Sequence, residues 1–583
     1  MLKKSIILII LVILLSVAAV FALSACNNPN NLDFAFITDT HVVANEVFTA
    51  ENYVNFANKD KMIHLTDAIL NTIADDIIAS KTKYVLFGGD LTENGDLESH
   101  NAVVDTLKRL KDAGKQLFVI NGNHDTDIHL TGNKISQSKF AELYNDFGYS
   151  QAIARYEGTL SYVADLNKKY RLIAIDNIEY KLSDGNTKND FDADHKKWVS
   201  EQVDLCNAEG KTPIIIAHKP FIQHMPKVTE FILDRNYYTS NKTFIKELAD
   251  KNCNYSFTGH MHLQSVKSIT NDKEETFTDV ETSSMSFYPA SYRKVLFTKK
   301  KVEVSTLSIS KINLAYVSEF SGEEERTKIS GSFADYCYSH FSNFISGEFL
   351  GKIVGADGLF SEDKFEGELQ PLAEILSDIA NKVLNNPLYI KDENNNLSLE
   401  RILLYYNITL PESSYKTASE LAAFFAGTLF AGDENIKDSD EITILKNVAT
   451  SLFYYIDTQS DAIKTALPDY EKINIDLNLL FKDGILECYD SNLLPLIISV
   501  ANNSINSSII SSALKSIKND FNSISTLESL IKAYTAGSLE GITSYFSGKT
   551  ILWYDLFDSI FNVYAADLMM DEYPADNNFA FKR

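Results

Sequence analysis

Phe34-Ala35-Phe36-Ile37-Thr38-Asp39-Thr40-His41 is an apolar run that ends in a carboxylate and an imidazole, and the design recurs through the first half of the chain. Leu86-Phe87-Gly88 leads into Gly89-Asp90, and Val119-Ile120-Asn121 leads into Gly122-Asn123-His124-Asp125. Two later apolar runs, Ile214 to Ala217 and Tyr255 to Thr258, end at His218 and at Gly259-His260-Met261-His262. The runs at Phe34 to Thr38, Tyr84 to Gly88 and Leu117 to Asn121 read as strands. Amphipathic stretches at Lys61 to Ser80 and Leu97 to Ala113 separate them and read as helices. Strands alternating with helices of that length build a largely parallel sheet. Polar residues at the carboxyl ends of parallel strands meet at one edge of the sheet, where open α/β folds bind their ligands.

Leu172 to Asp176 adds another apolar β-like run. From about residue 264 to 310 polar and apolar residues alternate, as in Arg293 to Thr298 and Val302 to Ile309, which predicts an antiparallel second sheet. The expected fold class is α/β, a two-sheet αββα sandwich over residues 32–312. Past Ser321-Gly322-Glu323-Glu324-Glu325 helical periodicity takes over, with Leu372, Ile375, Leu376, Ile379, Val383 and Leu384 on one face behind Pro371. Leu445, Val448, Leu452 and Tyr455 repeat that spacing, so an all-α C-terminal domain is expected over 325–583.

The ordered set DxH, GD, GNHD, H and GHxH, each behind an apolar run, resembles the calcineurin-like metallophosphoesterases. The resemblance covers roughly residues 33 to 310. It implies two divalent metal ions, with Asp39, His41 and His262 holding the first and Asn123, His218 and His260 the second. Asp90 would bridge them, since one carboxylate offsets two adjacent cations and fixes their separation. Such a pair clamps the attacking and departing oxygens of an in-line displacement at phosphorus, and metal-bound hydroxide is the expected nucleophile. Mixed oxygen and imidazole ligation suits Mn, Fe or Zn. The resemblance also places His124 outside the ligand set, facing the substrate as proton donor, with Asp125 fixing its tautomer. His224, in the segment after His218, is a candidate substrate contact. Gly89, Gly122 and Gly259 read as turn residues. His64, His100, His129, His195 and His340 read as ordinary core or surface residues. Tyr288 and Tyr292 border the same region, and packing against the sheet is their simpler role.

The first 26 residues form a separate unit: Lys3 and Lys4, a nearly all-apolar stretch from Ser5 to Leu23, then Leu23-Ser24-Ala25-Cys26. This order resembles a bacterial lipoprotein signal whose Cys26 is lipidated, an uncleaved anchor being the other reading. It predicts a body outside the cytoplasm, lipid-anchored to a bacterial membrane. The remaining cysteines, Cys206, Cys253, Cys337 and Cys488, are far apart and read as buried thiols.

A formal charge of −25 repels polyanions, which argues against a nucleic-acid polymer as partner and leaves small phosphoesters open. The combination of signal, core and helical half resembles bacterial cyclic nucleotide phosphodiesterase-like lipoproteins. It implies hydrolysis of cyclic nucleotides or similar small phosphodiesters. Phosphomonoester or nucleotide pyrophosphate hydrolysis is the alternative. A reading of another class is a non-catalytic envelope lipoprotein that keeps the core as a binding scaffold.

Overall fold

Alternation of side chains decides how the layers stack. In Leu172-Ile173-Ala174-Ile175 and in Ile214-Ile215-Ile216-Ala217, every residue is buried, yet alternate residues belong to two different cores. Leu172, Ala174, Ile214 and Ile216 face the other sheet; Ile173, Ile175, Ile215 and Ala217 face helices. A strand buried on both faces lacks any polar alternation and reads as one continuous apolar run.

A computed structural model describes residues 30–354 apart from 130–131, 182–186, 190 and 225–241, then 377, 415–433, 435–436, 439–445, 485–488, 549–552 and 576–582. The strands are β1 (Leu32–Ile37), β2 (Tyr84–Phe87), β3 (Gln116–Val119), β4 (Ala154–Arg155), β5 (Tyr162–Asp165) and β6 (Tyr170–Ile175). A small ribbon, β7 (Glu179–Lys181) with β8 (Thr187–Asn189), precedes β9 (Thr212–Ala217), β10 (Tyr255–Thr258), β11 (Ser265–Thr270) and β12 (Thr276–Glu281). β13 (Ser291–Phe297) and β14 (Lys301–Ser308) follow, then β15 (Ile485–Cys488) paired with β16 (Lys549–Leu552), and β17 (Phe579–Lys582).

One sheet has the order β17-β14-β13-β1-β2-β3, the other β11-β12-β10-β9-β6-β5-β4. β1, β2 and β3 run parallel, as do β6, β9, β10 and β12. Phe34 and Phe36 of one sheet meet Phe257 of the other at ring distances of 5.1 and 5.7 Å. Outside lie α1 (Tyr53–Ala57), α2 (Thr66–Ala79), α3 (Leu97–Asp112), α4 (Gln137–Leu143), α5 (Ala193–Ala208) and α6 (Lys242–Asp250). Asp96 and Asp192 cap α3 and α5 by accepting from the backbone N–H of Ser99 and His195. The result is the expected two-sheet sandwich with helices on both outer faces.

Residues 264–310 depart from expectation. They do not form a sheet of their own: β11 and β12 extend one sheet, while β13 and β14 extend the other beyond β1. The reason is register. β1 takes β13 antiparallel on its free side, Phe34 opposite Val295, which gives both edges of a strand that begins the parallel set a hydrogen-bonded neighbour.

The C-terminal half carries helices α7 (Glu323–Gly331), α8 (Phe333–Val354) and α9 (Ala418–Ala431). It also supplies β17, which pairs with β14 at the sheet edge. No helix among the described residues is long and apolar enough to cross a membrane. The leader with Cys26, the helical face over 371–384 and the repeat beyond residue 445 lie outside the described residues. Cys206, Cys253 and Cys337 are buried free thiols, and burial pushes Cys206 up to about 11.

Candidate metal centre

The loops after β1, β2 and β10 are held in a conformation that side chains seldom adopt. Asp39, His41, Asp90, His260 and His262 all have left-handed backbone, with φ of 52°, 46°, 47°, 80° and 61°. Such positions cost free energy and persist where the surroundings impose them. Here the loops after β1 and β2 continue side by side beyond their strands: Asp39 N donates to Gly89 O at 2.9 Å and His41 N to Asp90 O at 2.9 Å. Gly259 N donates to His218 O at 3.0 Å and ties in the third loop. Two glycines make room. A Cβ on Gly122 would stand 2.2 Å from Asp90 Oδ1, and one on Gly259 would stand 2.2 Å from Asp39 Oδ2.

Each carboxylate divides its labour. Asp39 Oδ2 accepts from Thr38 Oγ1 at 2.6 Å and from His260 N at 2.9 Å, while Oδ1 faces His262 Nε2 at 3.2 Å and His41 Nε2 at 3.7 Å. Asp90 Oδ1 accepts from His124 N at 2.7 Å, while Oδ2 lies 3.1 Å from His218 Nε2 and 3.8 Å from His41 Nε2. Two donor groups result, Asp39–His41–His262 and Asp90–His218–His260, and a third, His41–Asp90–His124, shares one member with each. Asn123 Oδ1 is 3.2 Å from His218 Nε2 and joins the second group. Asp90 reaches both, as a bridging carboxylate must.

The donor set fits divalent ions. Ligands at about 2.1 Å from one ion sit roughly 3.0–3.4 Å from each other. His41 Nε2 and His262 Nε2 are 3.0 Å apart, and His260 Nδ1 and His218 Nε2 are 3.1 Å apart. Asp39 Oδ1 is buried without a hydrogen-bond donor. The opposite ring nitrogens are occupied: His218 Nδ1 lies 3.1 Å from Gly88 O, and His41 Nδ1 faces Glu93 Oε2 at 2.8 Å. Second partners of this kind direct the remaining lone pair inward. Burial pushes His260 and His262 below the ordinary imidazole range, which keeps them neutral and able to ligate. Burial alone would raise Asp39 and Asp90, but the imidazoles around them, His218 first, hold both well below the usual carboxylate range.

Residues 32–264 match the sequence model described as Calcineurin-like phosphoesterase. That part of the chain is a calcineurin-like phosphoesterase domain. Among solved structures, the chain is similar to a dimetal phosphatase from Danio rerio at 11% identity, covering 48% of this chain and 96% of that one, with a TM-score of 0.35. The purple acid phosphatase PPD1 from yellow lupin (Lupinus luteus) seeds is similar at 11% identity over 48% of this chain and 51% of that one, TM-score 0.32. The NAD nucleotidase NadN of Haemophilus influenzae is similar at 12% identity over 56% and 61%, TM-score 0.26. No curated protein matches the sequence.

Around the ligand set, the phosphoesterase domain departs from expectation at two positions. Asp125 does not touch the His124 ring. Its carboxylate is fully buried and accepts from Gly122 N at 2.8 Å and Thr92 N at 2.9 Å, so it locks the GNHD turn against the loop after β2. The partner of His124 Nδ1 is instead the carbonyl of Glu93 at 2.6 Å. His224 does not reach the centre either. It is buried, with Nδ1 2.9 Å from Ser265 Oγ and Nε2 3.5 Å from Asp279 Oδ2, and it pins the segment after β9 to β11 and β12.

Tyr288 packs on Tyr338 and Phe341, and Tyr292 is buried, so both are packing residues. Glu93 and Lys61 are additions. The Glu93 carboxylate sits between His41 and Lys61 Nζ, 3.2 Å away; burial would raise it, but His41 first and then Lys61 hold it at about 2. Glu281 lies buried beneath the GHMH loop, accepting from Met261 N at 3.1 Å. Burial, then the charges of Asp39 and Asp279, push it well above the usual range.

Proposed function

We propose that this protein is a dinuclear-metal phosphoester hydrolase acting on small phosphodiesters, cyclic nucleotides among them, at the outer face of a bacterial membrane. The observation that carries the reaction class is the shared Asp90 between two groups of buried donors, with His124 beside it. When bound, the two ions supply Lewis-acid activation of water and neutralise charge on the phosphoryl oxygens. The chain's own residues do the rest. Asp90 offsets the paired cations, and the left-handed loops hold the ligands in place before substrate arrives.

His124 has a partly exposed side chain and is fixed through Nδ1 on Glu93 O, which leaves Nε2 to face substrate. A proton on Nε2 would pass to the departing oxygen as the P–O bond breaks, while the attacking water gives up a proton to solvent as its oxygen bonds to phosphorus. The preference for small diesters rests on the acidic surface, which repels polymers, and on the likeness of the chain's overall organisation to cyclic nucleotide phosphodiesterase-like lipoproteins.

The test is metal analysis of the full chain together with hydrolysis of bis(4-nitrophenyl) phosphate, cyclic nucleotides, phosphomonoesters and nucleotide pyrophosphates. About two ions per chain and fastest turnover of a cyclic or aryl diester are expected. Full metal occupancy with no turnover on any of them would instead show a binding scaffold. The membrane address is tested by lipid labelling in a bacterial host: the wild-type chain should take up labelled palmitate and a Cys26→Ser variant should not.

A further inference from the structure

A cavity of about 230 Å3 opens beside the metal centre, lined by Asn55, Phe56, Lys59, Ile63, Glu93 and Asn94. It is smaller than the roughly 300–1,000 Å3 that a whole drug-sized ligand occupies, and it suits one ring system. Its position is set by the site. Glu93 lines it and also supplies the carbonyl that holds His124, so the cavity borders the group assigned to protonate the departing oxygen. Its chemistry is mixed. Phe56 is half-buried, edge-on to Phe48 at 5.2 Å, and Ile63 is buried; the amides of Asn55 and Asn94 and the Lys59 ammonium surround these apolar surfaces.

The floor is braced from the C-terminal half. His340 of α8 lies with Nε2 2.9 Å from Lys59 O. Glu325 of α7 accepts from Tyr53 of α1 at 2.8 Å and faces His64 Nε2 at 3.0 Å. A short helix of this length has little stability of its own and takes its place from such contacts.

We infer that this cavity is the subsite for the departing half of the substrate, and that it receives a planar nitrogen heterocycle, a nucleobase. A ring stacked on Phe56 with its edge on the Asn55 and Asn94 amides uses both the aromatic and the amide groups of the lining. This rests on the hydrolase reading for its role in turnover, but not for its binding chemistry.

Adenosine and inorganic phosphate are the probes, applied to the full chain, wild type and as Phe56→Leu and Asn94→Ala. Leucine keeps the apolar contact with Phe48, so the fold survives where alanine would leave a hole. Calorimetry, with metal and after chelation, should show adenosine binding that weakens about tenfold in Phe56→Leu, the low end of what one stacked ring contributes. As inhibitors of diester hydrolysis, the ratio of the adenosine to the phosphate inhibition constant should rise by a similar factor. No adenosine binding by the wild-type chain, or binding unmoved by both substitutions, overturns the subsite. Adenosine binding that responds to the substitutions in a chain that hydrolyses no phosphoester keeps the subsite and overturns the hydrolase reading. Hydrolysis with an unmoved ratio does the reverse.

Discussion

The residues that carry chemistry divide by how local their partners are. Asp39, His41, Asp90, Asn123, His218, His260 and His262 were readable because each closes an apolar run, and strand ends of one sheet meet at one edge. Asp125 and His224 were not, because they are held by distant segments: Thr92, in the loop after β2, for one, and Ser265 and Asp279, in β11 and β12, for the other. Glu93 had no signal at all, being one acid in a loop whose contact with His41 exists only after folding. His124→Ala removes a side chain that the family resemblance leaves out of the ligand set, although its ring lies 4.8 Å from that of His41, while its backbone N–H still anchors Asp90. The variant should retain its metal by elemental analysis and lose about 10²–10⁴-fold in kcat. Loss of metal along with activity would make His124 a ligand. Gly122→Ala acts in the opposite way. Its methyl group collides with the Asp90 carboxylate, so metal affinity measured by competitive chelation should fall about 10–100-fold, as when a ligand's support is removed.

At the scale of elements, strands were easier to foresee than pairings. Every apolar run named in the first half became a strand within a residue or two, because burial on both faces demands an unbroken apolar sequence. Which sheet a strand joins depends on distant partners, and the alternation in 291–308 says nothing of β1. Helix α7 shows the same limit. Its Glu323-Glu324-Glu325 run looks like a solvated first turn, yet Glu325 is drawn into contact with Tyr53, His64 and Tyr336.

Partial burial would raise the Glu325 carboxyl, but His64, Ser321 and Tyr336 outweigh this and hold it at about 2, below its ordinary 4.5. A carboxyl depressed on folding contributes stability that is fully present above 4.5 and fades as pH falls toward 2. The difference in unfolding free energy between wild type and Glu325→Gln should therefore be about 2–3 kcal/mol at pH 7 and should shrink toward zero near pH 2. A difference independent of pH in chemical denaturation would show that the carboxylate charge contributes nothing there.

For the whole molecule, the change in periodicity near residue 321 suggested a core that ends and a helical half that begins, but the described contacts cross that line repeatedly. Ile329, Phe333 and Cys337 belong to the principal core with Phe34 and Phe257. Phe341 and Phe430 pack on Phe287, whose ring is 5.9 Å from His262. The chain's last described strand closes the sheet: Phe581 pairs with Val302, and Phe581 stacks near Tyr255 at 5.9 Å. Buried Arg293 donates to the carbonyls of Asp576 and Asn577, and Asn577 in turn donates to Ala431 and Gly432 at the end of α9. Sequence periodicity could not reveal this, since a strand from residue 579 pairing with one from residue 301 leaves no local trace.

The physical consequence is that residues 30–320 lack both the cover over one apolar face and the partner of an edge strand. An uncovered apolar face and an unpaired edge are each routes to association. A chain truncated at residue 320 should therefore be recovered mainly in the insoluble fraction, and any soluble portion should sediment as aggregate. Supplying residues 321–583 in trans should restore soluble material if the two halves assemble as the contacts require. A truncated chain that is soluble, monomeric and active on a diester would show that the helices only adjust selectivity, and that the contacts across residue 321 contribute little to holding the core.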